Sequence, residues 1–203
     1  MPDTNTAIDF YFDFSSPYGY LAATRINALA AKHQCRVNWR PILLGPMFKA
    51  AGTAPLLSVP LKGPYASRDI PRTARFLRIP YKHPDPFPIG TQNAARAFYW
   101  LNDRDPVRAH LFAMACYSTF FGQGIDISLA EKVADIAASL GEDRMEILTA
   151  MADPAVKERL KNEVDTALAR GVFGSPFIIV DGEPFWGNDR LDQVDAWLAT
   201  GGF

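Results

Sequence analysis

Ser15 and Ser16 stand directly before Pro17, where an alternating apolar run gives way to apolar residues at helical spacing. A serine there is a natural N-cap, because its oxygen can accept one of the backbone N–H groups that the first helical turn leaves unpaired. The position has a second chemistry. Free N–H groups and the positive end of the helix dipole favour an anion there, and a hydroxyl adds one more donor. Taken alone, the position makes Ser16 an N-cap first; a group that stabilises a bound anion is the second reading, open to Ser16 and to its rival Ser15. Other chemistries lack their residues. Cys35 and Cys116 are far apart and form no Cys-x-x-Cys pair, so each reads as a small buried hydrophobe rather than half of a disulfide. His33, His83 and His110 have no zinc-ligand spacing. No Walker loop and no GxGxxG follows a strand.

The elements that must position Ser16 follow from periodicity. Ile8, Phe10, Phe12 and Phe14 alternate with polar or amphipathic neighbours, the period of a strand. Pro17 suits the first helical position, and Tyr18, Leu21, Ala22, Ile26, Leu29 and Ala30 continue at helical spacing. Cys35–Pro41 alternates again, with Val37 and Trp39 on one face and Pro41 at a strand end or sheet edge. This is a β-α-β opening, right-handed if its strands are parallel.

From Gly45 to about Pro88 prolines punctuate the chain. An irregular excursion is expected there, with short helices around Met47–Ala51 and Ser67–Leu77. Helices then dominate: Thr91–Leu101, Pro106 to about Phe121 capped by Asp105, and one opened by the capping box Ser128–Glu131 and closed by Gly141. Two more follow, Arg144–Ala152 capped by Asp143, and one from Asp153-Pro154 to Gly171. Phe177–Val180 and Glu183–Trp186 flank Asp181-Gly182, a strong hairpin signal. A last helix runs from Arg190 to about Thr200, with Asn188 and Asp189 in capping positions. The order is β-α-β, a helical excursion, then α-β-β-α.

The 203 residues are 48% hydrophobic and 21% charged with a net charge of -1, a globular composition with no field that would gather nucleic acid or anionic lipid. Arg68, Arg72, Arg75 and Arg78 fall largely on one helical face and read as solvated. Met1–Thr6 is polar and carries no leader, no apolar run is long enough to span a membrane, and the cysteine usage suits a reducing compartment. A cytoplasmic protein is expected.

Three motifs add a resemblance. Phe12-Asp13-Phe14-Ser15-Ser16-Pro17-Tyr18-Gly19-Tyr20-Leu21, Phe173-Gly174-Ser175-Pro176 and Phe185-Trp186-Gly187-Asn188-Asp189-Arg190-Leu191 resemble the signatures of bacterial 2-hydroxychromene-2-carboxylate isomerases. Kappa-class glutathione transferases are close relatives. The resemblance implies an α/β, thioredoxin-like fold with a large inserted helical domain, as in DsbA-like proteins. It places the thioredoxin-like part at 1–45 and 160–203 and the helical insertion at 46–159.

In thioredoxin-like oxidoreductases a Cys-x-x-Cys pair occupies the first junction. Here the four positions read Ser16-Pro17-Tyr18-Gly19, so dithiol exchange is excluded at this site. The resemblance implies glutathione as cofactor, with Ser16 hydrogen-bonding its sulfur. A free thiol has a pKa of about 8.5, and a hydroxyl donor with a helix N-terminus would raise its thiolate fraction several-fold. Pro17 and Tyr18 would also bind the cofactor, and Ser175 and Pro176 would meet its cysteinyl part, with the bond before Pro176 expected cis more often than an ordinary X-Pro bond. Asn188 and Asp189 would meet the γ-glutamyl end and Lys62 the glycyl carboxylate. Thr53 stands where relatives often carry Asn. Phe87, Gln92 and Asn93 would line the acceptor side. The implied activity is cis-trans isomerisation of a small aromatic carboxylate by reversible thiolate addition, in a protein expected to form a homodimer. A kappa-like transferase or peroxidase, or a non-catalytic thioredoxin-like binding module, are the other activities this fold would serve.

Overall fold

The structure, a computed structural model, describes residues 7–203; the leader reading of Met1–Thr6 lies outside the described residues. β1 (Ala7–Phe12) pairs parallel with β2 (Arg36–Pro41) and antiparallel with β3 (Phe177–Val180), which pairs antiparallel with β4 (Glu183–Trp186). The sheet order is β2-β1-β3-β4, so β1, the strand that leads into Ser16, is central.

The two faces of β1 differ because side chains alternate across a strand. On one face Phe10 and Phe12 lie beside Trp39, and Phe12 also meets Phe98 and Tyr117 at ring-centroid distances of 5.8 Å. Phe10, Phe12, Phe98 and Tyr117 are fully buried, each such ring contributing roughly 1.5–3 kcal/mol. On the other face Asp9 accepts from Arg40 at 2.9 Å, from Arg170 at 2.6 Å and from Asn38 at 3.0 Å. Burial would raise the Asp9 carboxyl, but these donors hold it below its ordinary value.

Helix α1 (Pro17–Lys32) connects β1 to β2, and Asn27 on it accepts the Trp39 indole N–H at 3.1 Å. Between β2 and β3 lie α2 (Leu44–Ala51), α3 (Lys62–Phe76), α4 (Gln92–Asn102), α5 (Pro106–Tyr117), α6 (Ala130–Ser139), α7 (Arg144–Ala152) and α8 (Pro154–Ala169); α9 (Leu191–Thr200) follows β4. The caps expected at Asp105, Asp143 and Asp153 are formed, each carboxylate accepting from the first turn of its helix. At the hairpin, Asp181 (φ 51°) and Gly182 (φ 89°) both sit at positive φ, as a two-residue turn that follows the strand twist requires.

Four local expectations are corrected. The second proline-rich helix begins earlier, at Lys62, and runs through Pro71 to Phe76, giving up one backbone hydrogen bond at the proline. The helix expected to reach Phe121 changes at Ser118 into a π-helical turn, Ser118–Gly122. The capping box at Ser128 does not form: its hydroxyl and amide both turn back to Asp126, and α6 starts without a side-chain cap. Asn188 and Asp189 form a 3-10 turn with Arg190 rather than side-chain caps of α9.

Candidate active site

The Ser16 hydroxyl does what its position predicts and more. Its oxygen accepts the Gly19 amide at 3.0 Å, capping α1, and its proton goes to the Ser175 carbonyl at 2.8 Å. Ser16 is buried, and the hydroxyl faces the Ser175–Pro176 turn rather than the core. The peptide bond between Ser175 and Pro176 is cis. Ser15, the rival, faces elsewhere: its hydroxyl accepts the Ile89 amide at 3.2 Å. Gly19 is glycine because this approach is close. A Cβ there would stand 2.7 Å from the Tyr117 hydroxyl and 2.8 Å from Ser175 Oγ.

The third motif reaches the same turn through the sheet. Phe177 pairs with Trp186, and the Gly187 amide donates to the Pro176 carbonyl at 3.1 Å, which sets Asn188 and Asp189 beside the turn. The 188–190 turn packs on α1. Asn188 is 6% exposed, and its Oδ1 is buried without a hydrogen-bond partner. Asp189 is largely exposed and lies beside Arg190 at 3.5 Å.

Tyr18, the second residue of α1, donates its phenol proton to Asp69 of α3 at 2.7 Å. Burial first, then the hydrogen bond to Asp69 and the charges of Asp69 and Asp189, push that phenol well above its ordinary value, so it stays protonated. Asp69 is held in turn by Arg72. This pair fixes α3 beside the start of α1 and frames a cavity of about 380 Å³ lined by Tyr18, Leu56, Leu61, Lys62, Tyr65 and Ala66. Lys62 is the cation of that lining.

The remaining sequence candidates are more dispersed. Thr53 is exposed just after α2, its amide bonded to the Phe48 carbonyl. Phe87 is half-buried in an aromatic cluster with His83, Phe120 and Phe121. Gln92 opens α4 and is exposed, while the Asn93 amide is engaged by the Ser128 carbonyl at 2.9 Å.

Sequence reasoning overlooked Asp13. Its carboxylate is buried and accepts from the Ser15 amide (2.7 Å), the Leu44 amide (2.7 Å) and the Thr91 hydroxyl (2.9 Å). Burial pushes its pKa up and these three donors pull it back, with a net rise. A signal existed: an Asp two residues before a backbone N–H at a strand end has the spacing of an Asx turn. Tyr117 also escaped notice, although its hydroxyl donates to the Asp13 carbonyl at 2.9 Å.

Fold and junction together define the class. The chain belongs to the DSBA-like thioredoxin domain family, which matches residues 7–199. It is 33% identical to the 2-hydroxychromene-2-carboxylate isomerase of Sphingobium xenophagum over 94% of this chain and 97% of that one. A solved 2-hydroxychromene-2-carboxylate isomerase superposes with a TM-score of 0.86 at 28% identity, over 95% of this chain and 94% of that one. Glutathione S-transferase kappa 2 of Caenorhabditis elegans is 27% identical over 98% of this chain and 94% of that protein. The particular family is therefore that of the 2-hydroxychromene-2-carboxylate isomerases, as the three motifs imply, with kappa transferases as relatives.

Proposed function

We propose that this protein is a glutathione-dependent isomerase that interconverts 2-hydroxychromene-2-carboxylate and trans-o-hydroxybenzylidenepyruvate, or a closely similar intermediate of aromatic breakdown. The isomerase class rests on the family. The observation that carries the cofactor is the convergence at the Ser175–Pro176 turn. A hydroxyl at a helix N-terminus meets it from one side, and the Gly187 amide bonds it from the other, next in the chain to Asn188, whose buried Oδ1 has no partner.

These residues suit the tripeptide. Asn188 Oδ1 is an acceptor and Asp189 an exposed anion, together fitted to the γ-glutamyl ammonium. The N–H groups at the start of α1 favour a sulfur anion, and Ser16 supplies a hydroxyl proton to it. The Ser175 backbone, with Pro17, Tyr18 and Pro176, borders the cysteinyl part, and Lys62 in the cavity beside Tyr18 takes the glycyl carboxylate. Thr53 offers a hydroxyl where relatives use an amide. When bound, glutathione supplies a thiolate that adds reversibly to a conjugated carbon, so that a double bond becomes rotatable and is then restored. Phe87, Gln92 and Asn93 border the aromatic substrate. A cytoplasmic location and a homodimer go with this reading.

Product analysis tests it. Isomerisation converts the chromene carboxylate while total free glutathione stays constant; no turnover with glutathione present overturns the proposal. A second reading draws on the kappa relative: a transferase would consume glutathione one for one with the acceptor, and a peroxidase would oxidise it. A non-catalytic binding module would show no glutathione binding in calorimetry.

A further inference from the structure

We propose that Asp13 is the positioning residue of this site: it sets the separation of Ser16 and Ser175 by holding both from one backbone. The Ser16 amide donates to the Asp13 carbonyl at 2.9 Å, and the Asp13 amide donates to Ser175 Oγ at 2.9 Å. The two residues joined by the 2.8 Å hydroxyl–carbonyl bond are thus each bonded to Asp13. The Tyr117 hydroxyl donates to the same Asp13 carbonyl, so that oxygen serves two donors.

The side chain of Asp13 explains how this backbone stays in place. Its carboxylate gathers the Ser15 amide, the first amide of α2 at Leu44, and the hydroxyl of Thr91, the residue before α4. Two distant segments therefore converge, beside its own turn, on a residue that is 3% exposed. All three groups are donors, so the arrangement is satisfied by the ionised carboxylate, which only accepts. Among the described residues no ion pair involves Asp13, whose carboxylate is met instead by these three neutral donors. Keeping it costs desolvation, which a residue serving only as filler would avoid. Asparagine has the same shape but offers one oxygen. Its NH2 would face the amide of Leu44 or of Ser15, donor against donor.

The consequence rests on the proposed function. Ser16 and Ser175 must sit within a few tenths of an ångström of their places to serve a bound sulfur and its peptide, and Asp13 confers that precision without touching the ligand.

The test is Asp13→Asn, read by amide hydrogen exchange and by steady-state kinetics. The expected result is exchange at the Ser16 and Gly19 amides faster by about tenfold, with exchange in α8 unchanged. The kcat for isomerisation should fall by about tenfold, while the KM for glutathione moves less than about threefold. Equal acceleration at Ser16 and in α8 would reduce Asp13 to a structural residue and overturn the proposal, as would an unchanged kcat. If Asp13→Asn does not fold, Thr91→Val, which removes one of the three donors, is read the same way, and unaltered Ser16 exchange in it overturns the proposal. The exchange arm needs no ligand. A wild-type protein that binds no glutathione would sink the proposed function, while the exchange result would still decide the role of Asp13.

Discussion

Ser16 gives its hydroxyl proton to the Ser175 carbonyl at 2.8 Å while its oxygen accepts the Gly19 amide at 3.0 Å. Both hydrogen-bonding roles of the hydroxyl are in use. A sulfur anion at the start of α1 can receive that proton only by displacing the Ser175 carbonyl, because one proton serves one acceptor at full strength. The expected outcome of binding glutathione is a Ser16 hydroxyl turned from Ser175 toward sulfur, with the contact to Gly19 kept. A crystal structure of the complex checks this. A Ser16–Ser175 distance still near 2.8 Å, with sulfur out of reach, would contradict it.

Removing the hydroxyl has a separate cost in stability. Ser16→Ala loses an N-cap and a buried hydrogen bond, together about 1–2 kcal/mol. Urea unfolding measures this, and the folded variant at low denaturant is the reference for any loss of activity.

Gly19→Ala should be worse than its chemistry suggests. Alanine ordinarily favours a helix by up to about 1 kcal/mol over glycine. Here its methyl would stand 2.7 Å from the Tyr117 hydroxyl and 2.8 Å from Ser175 Oγ, so a net loss of about 1–3 kcal/mol is expected. Because both neighbours belong to the Ser16 surroundings, turnover should fall with stability. A gain in unfolding midpoint would contradict the packing.

Asn188→Ala separates binding from folding. The buried Oδ1 has no partner in the chain, so its removal should leave the unfolding free energy nearly unchanged or raise it slightly. Glutathione affinity should fall by about tenfold, the value of one good hydrogen bond to a charged group. Calorimetry beside thermal unfolding checks both halves.

His110 should add one step to the acid sensitivity of the fold. It is half-buried on α5, its Nε2 lies 2.9 Å from Asn27 Nδ2, and its ring is tilted against that of Trp39 at a centroid distance of 4.7 Å. Burial holds its pKa below the ordinary value. A depressed histidine contributes stability that is complete above about pH 6.5 and is lost as pH falls through the folded value. Between those points the unfolding free energy should decline with a slope no steeper than about 1.4 kcal/mol per pH unit from this one group. His110→Gln should flatten that slope in pH-dependent urea unfolding, and an unchanged slope would assign it elsewhere.

What the sequence disclosed was local and of short range. Ser16 before Pro17, Asp153 before Pro154 and the Asp181-Gly182 turn each announce a backbone conformation within a few residues, and each is formed. Ser128 does not cap because its amide and hydroxyl both donate to the carboxylate of Asp126, two residues before it, and its oxygen accepts no N–H of the helix start. Asn188 and Asp189 were placed rightly beside the last helix, but their turn is set by the Gly187–Pro176 bond, a contact across the sheet that spacing does not reveal. Asp13 was hidden for the same reason. Two of the donors to its side chain, Leu44 and Thr91, lie 31 and 78 residues away, and only the fold brings them together.

The most direct measurement is an ultraviolet titration of the thiolate of glutathione bound to the wild-type protein and to Ser16→Ala. The expected result is a bound thiol that ionises below the free value of about 8.5 in the wild type and returns toward it in the variant. A bound thiol that ionises alike in both, or no binding at millimolar glutathione, would contradict the role given to Ser16.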